Sequence, residues 1–399
     1  MLFLLILLLS SQNTHALSGN VSTDGEIGYQ GTLNQQTEGD KTRVTRNRPY
    51  VQTKFKGTVE PADQSSRVSG NIAARAWTDS RGGKDKDRDN SIEFRELNAG
   101  YTKAGFSGVF GIQQIGWGET FGLFIADMIN PRDLRDPLFN ELSWVRVPVV
   151  SVNLKYFISD WNFQIIETPI PVNNRFPGMY NNYKVVSPID FSVDDFPKDS
   201  EFAFRVGRKF ESGIDASLIF FRHWSRNPAF EPQGAALRPI VERVSTMATS
   251  ASQAWEDWVL RFDSVLHFEA PVQFDLKEKV IRTYQSQSIL GLDRTFASQT
   301  NVGGQYHLDK WADQQRHSLS VRAASKFLND RIEPEAFAYF GLNNSDVWIQ
   351  PKVSWYPTDS LTLSLRMDMI LNNGLSSKDG FLAPLENEDR GMIWLSYKL

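Results

Sequence analysis

The sequence predicts an all-β fold: a transmembrane antiparallel up-and-down β-barrel of about 18 strands, with long extracellular loops and short periplasmic turns. Segments of roughly ten residues alternate between apolar and polar side chains, which is the period of a strand. Long polar loops and short turns alternate along the whole chain. Aromatic residues gather beside the short turns, where a membrane–water interface would lie: Tyr101, Tyr156, Trp161, Phe210, Trp258, Trp355 and Tyr397.

The same alternation would also fit a soluble β-sandwich, in which the apolar face is the core and the polar face is wet. Two features favour the membrane barrel. The polar faces carry charges of both signs in the middle of strands, which a water-filled lumen tolerates. In lipid every backbone N–H and C=O must be paired, and a closed barrel is the arrangement of strands that achieves this.

Composition limits the classes of function. The 399 residues carry a formal net charge of −4, so no nucleic-acid partner is expected. The absence of cysteine excludes disulfides, thiolate metal sites and cysteine nucleophiles. The acidic residues of Lys84–Asn90 resemble a calcium loop but lack its turning glycine and alternate with basic residues. We therefore predict no metal, no cofactor and no catalytic residue, with a barrel enzyme such as a lipase or protease as an alternative.

The first residues predict an exported protein. Leu2–Leu9 is an apolar run of signal-peptide length, and Thr14–Ala16 offers small residues for cleavage after Ala16. No Lys or Arg precedes the run, which departs from the usual pattern. We predict a signal peptide at 1–16 and a barrel at 17–399.

The first nine strands are predicted from their alternation and punctuation. They are Gly19–Gly31, Arg48–Val59, Ser65–Thr78, Ile92–Tyr101, Phe106–Trp117, Trp144–Phe157, Trp161–Ile170, Phe202–Phe210 and Ile214–Phe220.

Nine further strands bring the predicted total to about 18, an even number. Arg238–Ser250 alternates weakly and is included because the up-and-down parity requires a strand there. Trp258–Phe268 has the clearest alternation in the chain. The others are Arg282–Arg294, Asn301–Leu308, His317–Leu328, Glu335–Leu342, Val347–Tyr356, Leu361–Leu371 and Met392–Leu399.

The connection after Phe106–Trp117 is too apolar to lie in water. Phe121–Ile129 is rich in large apolar residues and could form a short helix, and Asn130-Pro131 is a turn signal. We predict that residues 118–141 fold into the barrel and restrict it, with a position on the rim as the alternative. The charged residues expected at this constriction are Arg132, Asp133, Arg135 and Asp136.

The polar faces of the strands supply the predicted pore lining. Its candidates are Gln113, Lys155, Arg205, Lys209, Arg261, Asp263, Asp293, Arg322, Lys352, Arg366 and Asp368. Basic residues slightly outnumber acidic ones on these faces, which predicts a mild anion preference. The alternative is that these charges pair across strands and hold the wall together.

Several short motifs resemble a large family of Gram-negative outer-membrane barrels, porin-like and mostly of unknown substrate, which are similar to the alginate-export barrels. They are Gly111–Gln113, Trp117-Gly118, Asn130–Asp133, Gly291–Asp293 and Gly304–Tyr306. The terminal Ile393–Leu399 strand resembles the signal that the barrel-assembly machinery reads, although it ends on Leu399 and not on an aromatic residue.

The resemblance implies an outer-membrane location and passive diffusion of small solutes, with the solute left open. The expected partners are outer-membrane lipid, lipopolysaccharide and, during biogenesis, the barrel-assembly machinery. A structural or adhesive barrel that acts through its long extracellular loops is the other expectation.

Overall fold

Alternating sequence segments form one closed sheet in the computed structural model of the protein. The structure describes residues 17–36, 41–61, 65–79, 89–120, 123–134, 136, 138, 141–175, 199–226, 229–233, 236–272, 280–343, 346–372 and 389–399. The predicted signal peptide at 1–16 lies outside these residues. No helix in the described part of the chain is long and apolar enough to cross a membrane.

The first eleven strands include one short hairpin. They are β1 (Leu17–Gln36), β2 (Lys41–Pro61), β3 (Ser66–Asp79), β4 (Asp89–Lys103), β5 (Phe106–Gln113), β6 (Val149–Ile158), β7 (Trp161–Ile170), β8 (Glu201–Lys209), β9 (Ile214–Trp224), β10 (Ala229–Gln233) and β11 (Ala236–Ile240). A single helical turn, α1 (Leu142–Val145), precedes β6.

The remaining strands are β12 (Arg243–Trp255), β13 (Trp258–Val272), β14 (Ile281–Thr295), β15 (Asn301–Trp311), β16 (Gln314–Ala324), β17 (Ile332–Gly341), β18 (Asp346–Trp355), β19 (Leu361–Asn372) and β20 (Arg390–Lys398). In the barrel, each strand pairs antiparallel with the next one along the chain, except that β9 pairs directly with β12. The intervening strands β10 and β11 form a separate hairpin, in which they pair with each other. β1 pairs with β20 from Glu26↔Lys398 to Asn34↔Arg390, which closes the sheet. The predicted fold class and the strand number of 18 are confirmed.

The two faces of each strand lie in different environments. On β14, Leu290 is 52% exposed on the outer face, whereas its neighbour Ile289 is fully buried inside. The exposed large apolar side chains lie mostly on the outer face, as a lipid-facing wall requires. The inner face is less polar than the sequence pattern suggests, since β6–β9, β12 and β13 also carry apolar residues inward.

Some predicted boundaries are wrong for local reasons. β5 ends at Gln113, because Ile115 and Trp117 leave the sheet and turn into the barrel. The predicted strand Arg238–Ser250 is divided between the β10–β11 hairpin and β12. The alternation of long and short connections fails between β15 and β18, where two residues join β15 to β16 and four join β17 to β18.

The assignment of faces gives a first testable prediction. We expect Leu365→Arg to reduce the free energy of unfolding by about 2–4 kcal/mol, because Leu365 is 54% exposed on the outer face. Arg261→Leu is the control: Arg261 lies on the inner face in partly exposed ion pairs with Asp293 and Glu119, each worth about 0–1 kcal/mol. Denaturant titration in lipid vesicles measures both, and equal losses would mean that the faces are assigned wrongly.

Candidate functional site

The chain enters the barrel directly after β5. Asn130 fixes this point, since its Oδ1 accepts a hydrogen bond from Ile115 N (2.6 Å) and its Nδ2 donates to Val147 O (2.7 Å). Gly118 then turns the chain with φ +91°, a conformation that L side chains rarely adopt. A Cβ at this position would lie 3.1 Å from Asp263 Oδ2, so glycine also permits the close approach to the wall.

Apolar residues of the inward segment cover an apolar part of the inner wall. Trp117, Ala126, Met128 and Ile129 pack with Ile115 against the inner faces of β6–β9, β12 and β13. The wall residues of this cluster are Val149, Ile166, Ala203, Ile219, Phe221, Ala248 and Val265. The segment is therefore covered by the barrel interior. Its described residues 123–129 form bends and not the short helix that the sequence suggested.

Asp263 on β13 anchors the beginning of the segment. Its Oδ2 accepts a hydrogen bond from Thr120 Oγ1 (2.7 Å), and the backbone N–H groups of Glu119 and Thr120 lie 3.3 Å away. Ser250 donates to its other oxygen (2.5 Å). The carboxylate is fully buried with these donors around it, so it holds the segment against the wall.

A second anchor lies at the tip and contains five charged side chains. Asp136 pairs with Arg46 of β2 (2.6 Å) and with Arg390 of β20 (2.7 Å). Arg390 also pairs with Asp368 of β19 (2.6 Å), and Arg366 contacts the same carboxylate at 3.2 Å. Arg366 donates in addition to the carbonyl of Leu138 (3.0 Å). We call these five charged residues the tip network.

The tip network keeps Asp136 ionised. Burial raises the pKa of the Asp136 carboxyl, but the charges of Arg390 and Arg46 outweigh burial and hold the pKa below its usual range. A depressed pKa adds stability that is present above the ordinary carboxyl pKa and is lost only as the pH falls through the lower folded value. The anchor is therefore expected to persist through mildly acid conditions.

The two anchors lie on opposite sides of the barrel. β13 and β2 are nine strands apart in either direction around the 18-strand ring. The described residues between 118 and 136 therefore lie along a path across the interior, from one side of the barrel to the other. We call the segment from Gly118 to Glu141 the crossing segment.

Arg226, beyond β9, fixes the middle of the crossing segment. Its guanidinium donates to the carbonyls of Met128 (3.3 Å) and Ile129 (2.9 Å) and pairs with Glu201 of β8 (2.8 Å). The sequence pattern gave no signal for this residue, because it lies outside the alternating segments.

Aromatic and basic residues fix α1, where the chain returns to the wall. The ring of Trp144 lies under the Arg75 guanidinium at 3.6 Å and edge-on to Tyr50, with ring centroids 5.0 Å apart. Arg75 and Arg95 both donate to the carbonyl of Ser143, at 3.1 and 3.0 Å. These contacts fix the far end of the crossing segment to β2, β3 and β4.

Four of the residues predicted to line the pore lie on the inner face but are covered. Gln113, Asp263, Arg366 and Asp368 are at most 6% exposed. Gln113 donates to Ser151 O (3.0 Å) and accepts from Asn153, and the other three hold the crossing segment. Asp263 and Arg366 therefore contact the crossing segment directly, Asp368 acts on it through Arg366 and Arg390, and the Gln113 side chain bonds to its neighbours in the wall.

Other predicted residues pair along the wall. Arg261 pairs with Asp293 at 2.7 Å, and Arg322 pairs with Glu335 at 2.9 Å. Lys352 reaches Glu141 of the crossing segment at 3.1 Å. Cross-strand pairing, the alternative interpretation of these charges, therefore describes Arg261–Asp293 and Arg322–Glu335, and it also describes Asp368–Arg390 of the tip network.

The predicted loop charges have different environments. Arg132 donates to the carbonyl of Phe124, and burial lowers its pKa. Asp133 lies 3.6 Å from Arg175. Arg135 lies outside the described residues.

Lys155, Arg205 and Lys209 remain partly or well exposed on the inner face of β6 and β8. Lys155 aligns with Gln164 of β7, which aligns with Arg205 of β8. Neither Lys155 nor Arg205 has an ion pair within the described part of the chain. The structure thus places two cations in one row across the wall, with Gln164 between them.

Solved structures share this fold. The outer membrane protein OpdK of Pseudomonas aeruginosa aligns with a TM-score of 0.58 at 9% identity, over 95% of this chain and 98% of that chain. OpdK has also been solved with vanillate. OccAB1 of Acinetobacter baumannii gives 0.58 at 8% identity over 96% of each chain, and OmpF of Salmonella typhi gives 0.50 at 12% identity over 95% and 97%.

These neighbours are Gram-negative outer-membrane porins, and at such identities the likeness shows the fold alone. No protein-family model matches the chain, and no curated protein matches it in sequence.

Proposed function

We propose that the protein is an outer-membrane channel for passive diffusion of small solutes, restricted by the crossing segment. The supporting observation is that this segment is tied to opposite walls, through Asp263 on β13 and Asp136 beside β2 and β20. Buried charged contacts on both sides hold it in one position. A fixed obstacle in a lumen narrows the path for solutes without any need for a cofactor or an energy source.

We further propose a mild anion preference, based on Lys155 and Arg205. Many other inner-face cations have carboxylate partners, such as Arg322 with Glu335. Lys155 and Arg205 face the lumen with no ion-pair partner among the described residues. Cations on a pore wall that no direct ion pair holds raise the local concentration of anions.

Solute uptake by liposomes tests the diffusion proposal. Vesicles containing the pure protein should swell in isotonic solutions of small neutral sugars, and faster in small monoanions of similar size. Vanillate, with which OpdK was solved, is one suitable anion. An absence of swelling with every solute would favour a structural or adhesive barrel.

Two substitutions on one strand test the anion preference. We expect Arg205→Gln to lower the anion-to-cation permeability ratio, because it removes an unpaired cation from the inner face. Arg208→Gln is the matched control, since Arg208 lies on the outer face of the same strand, beside Trp161. The reversal potential in a salt gradient measures the ratio, and equal shifts in both variants would contradict the assignment.

A further inference from the structure

Two arginines on the outer face are each held between two aromatic rings, at the end of the barrel that carries the short turns. The Arg208 guanidinium carbon lies 4.9 Å from the ring centre of Trp161 and 4.8 Å from that of Phe210. We call this group the Arg208 clamp.

The Arg294 clamp repeats this geometry on the far side of β9 and β12. Its guanidinium carbon lies 4.8 Å from the ring centre of Trp258 and 4.6 Å from that of Phe296. In both clamps the tryptophan is the first residue of a strand and aligns with the arginine of the next strand. In both clamps the phenylalanine is the second residue after the arginine in the sequence.

The backbone around the clamps is also the same. The N–H of Lys209 donates to Asp160 O (3.0 Å), and the N–H of Thr295 donates to Asp257 O (2.9 Å). An equivalent turn follows each clamp. Phe210 N donates to Ile214 O in the first turn and Phe296 N donates to Thr300 O in the second, both at 2.8 Å.

The turns also share a left-handed residue. Gly213 has φ +83° and Gln299 has φ +57°, and each donates its N–H to the phenylalanine carbonyl at 2.9 Å. The local structure therefore fixes the two guanidinium groups in equivalent positions at the barrel surface.

Neither clamp arginine is neutralised by the protein. Within the described residues, the side chains of Arg208 and Arg294 have no ion pair and no hydrogen bond, and the Nε of each is buried without a partner. An arginine on the lipid face is costly near the bilayer centre, and the cost falls to about 0–1 kcal/mol near the interface. The aromatic rings favour the cation and limit its orientations, and the terminal Nη–H groups keep no acceptor among the described residues, so an external acceptor can take them.

We propose that the Arg208 and Arg294 clamps each bind the phosphate of a membrane phospholipid in the leaflet at the short-turn end. A planar guanidinium donates two parallel hydrogen bonds to phosphate oxygens, which suits this anion better than a single-point contact. Exposed aromatic rings beside it, such as Trp161 (40% exposed) and Phe210 (39% exposed), offer apolar surface at the interface. The proposal concerns the outer surface and is independent of solute passage.

Native mass spectrometry of the full barrel, titrated with phosphatidylglycerol, tests this proposal. We expect the wild type to retain two tightly bound lipids. Arg208→Gln and Arg294→Gln should each lose one of them, and the double variant should lose both, with binding weakened by roughly tenfold or more per site. Arg282→Gln is the control, because Arg282 is an outer-face arginine at the opposite end that pairs with Glu242; it should retain both lipids.

A further double variant distinguishes a loss of lipid binding from misfolding of the barrel. Phe210→Leu with Phe296→Leu keeps both charges and removes one ring from each clamp, and we expect weaker lipid binding in a barrel that still resists heat on a gel. Inorganic phosphate at the lipid concentration should not displace the lipids. An unchanged lipid count in the double arginine variant, or equal binding of inorganic phosphate, would overturn the proposal.

Discussion

Removal of Thr120–Pro137 should raise the single-channel conductance several-fold while the barrel still assembles. The removed residues include the part of the crossing segment that joins β13 to the side of β2 and β20. The closed ring of strands is paired without them, so we expect assembly to proceed without this segment. The loss exposes Ile219, Phe221 and Val265 to lumen water, and some loss of stability is expected.

Planar-bilayer recordings of the wild type and the deletion measure this effect. Deletion of the β10–β11 hairpin is a control for shortening a connection at the same end, since its two strands pair only with each other. That deletion should leave the conductance unchanged. An unchanged conductance after loss of Thr120–Pro137 would mean that the wall alone limits the pore.

Asp368→Ala should reduce the free energy of unfolding by about 3–5 kcal/mol. The Asp368 side chain is fully buried and contacts Arg390 (2.6 Å) and Arg366 (3.2 Å). It also accepts a hydrogen bond from Gln350 (2.7 Å). Its removal leaves buried positive charge without this carboxylate, which is the costly way to break a buried pair.

Asp293→Ala is the matched control. Asp293 also pairs with an arginine on the inner wall, but the two side chains are 25% and 28% exposed. Water screens this pair, so its loss is expected to cost about 0–1 kcal/mol. Denaturant titration in vesicles compares the variants, and similar losses would contradict a central role for the tip network.

The barrel could be predicted from the sequence because its pattern is local. An outward Leu365 beside an inward Arg366 shows how a period of two assigns faces from neighbouring residues alone. Weak alternation gave the poorest boundaries, as for the predicted strand Arg238–Ser250. The early end of β5 was missed because Ile115 and Trp117 continue the alternation while they pack against the inner wall.

The inward course of the crossing segment was predicted from the sequence, because its apolar residues must be shielded from water. Its anchors were harder to predict, because their partners are far apart in sequence. Asp136 and Arg390 are 254 residues apart, and Arg226 lies in a connection without alternation. Asp263 was predicted to face the lumen, and its strand and face gave no sign that Thr120 would cover it.

Planar-bilayer recording of the intact protein is the most direct test of the central claim. The account predicts discrete conductance steps that scale with salt concentration, in the absence of any energy source, and a reversal potential that favours anions. An absence of steps in every salt, from protein that is folded in the bilayer, would contradict the claim that this barrel is a passive channel.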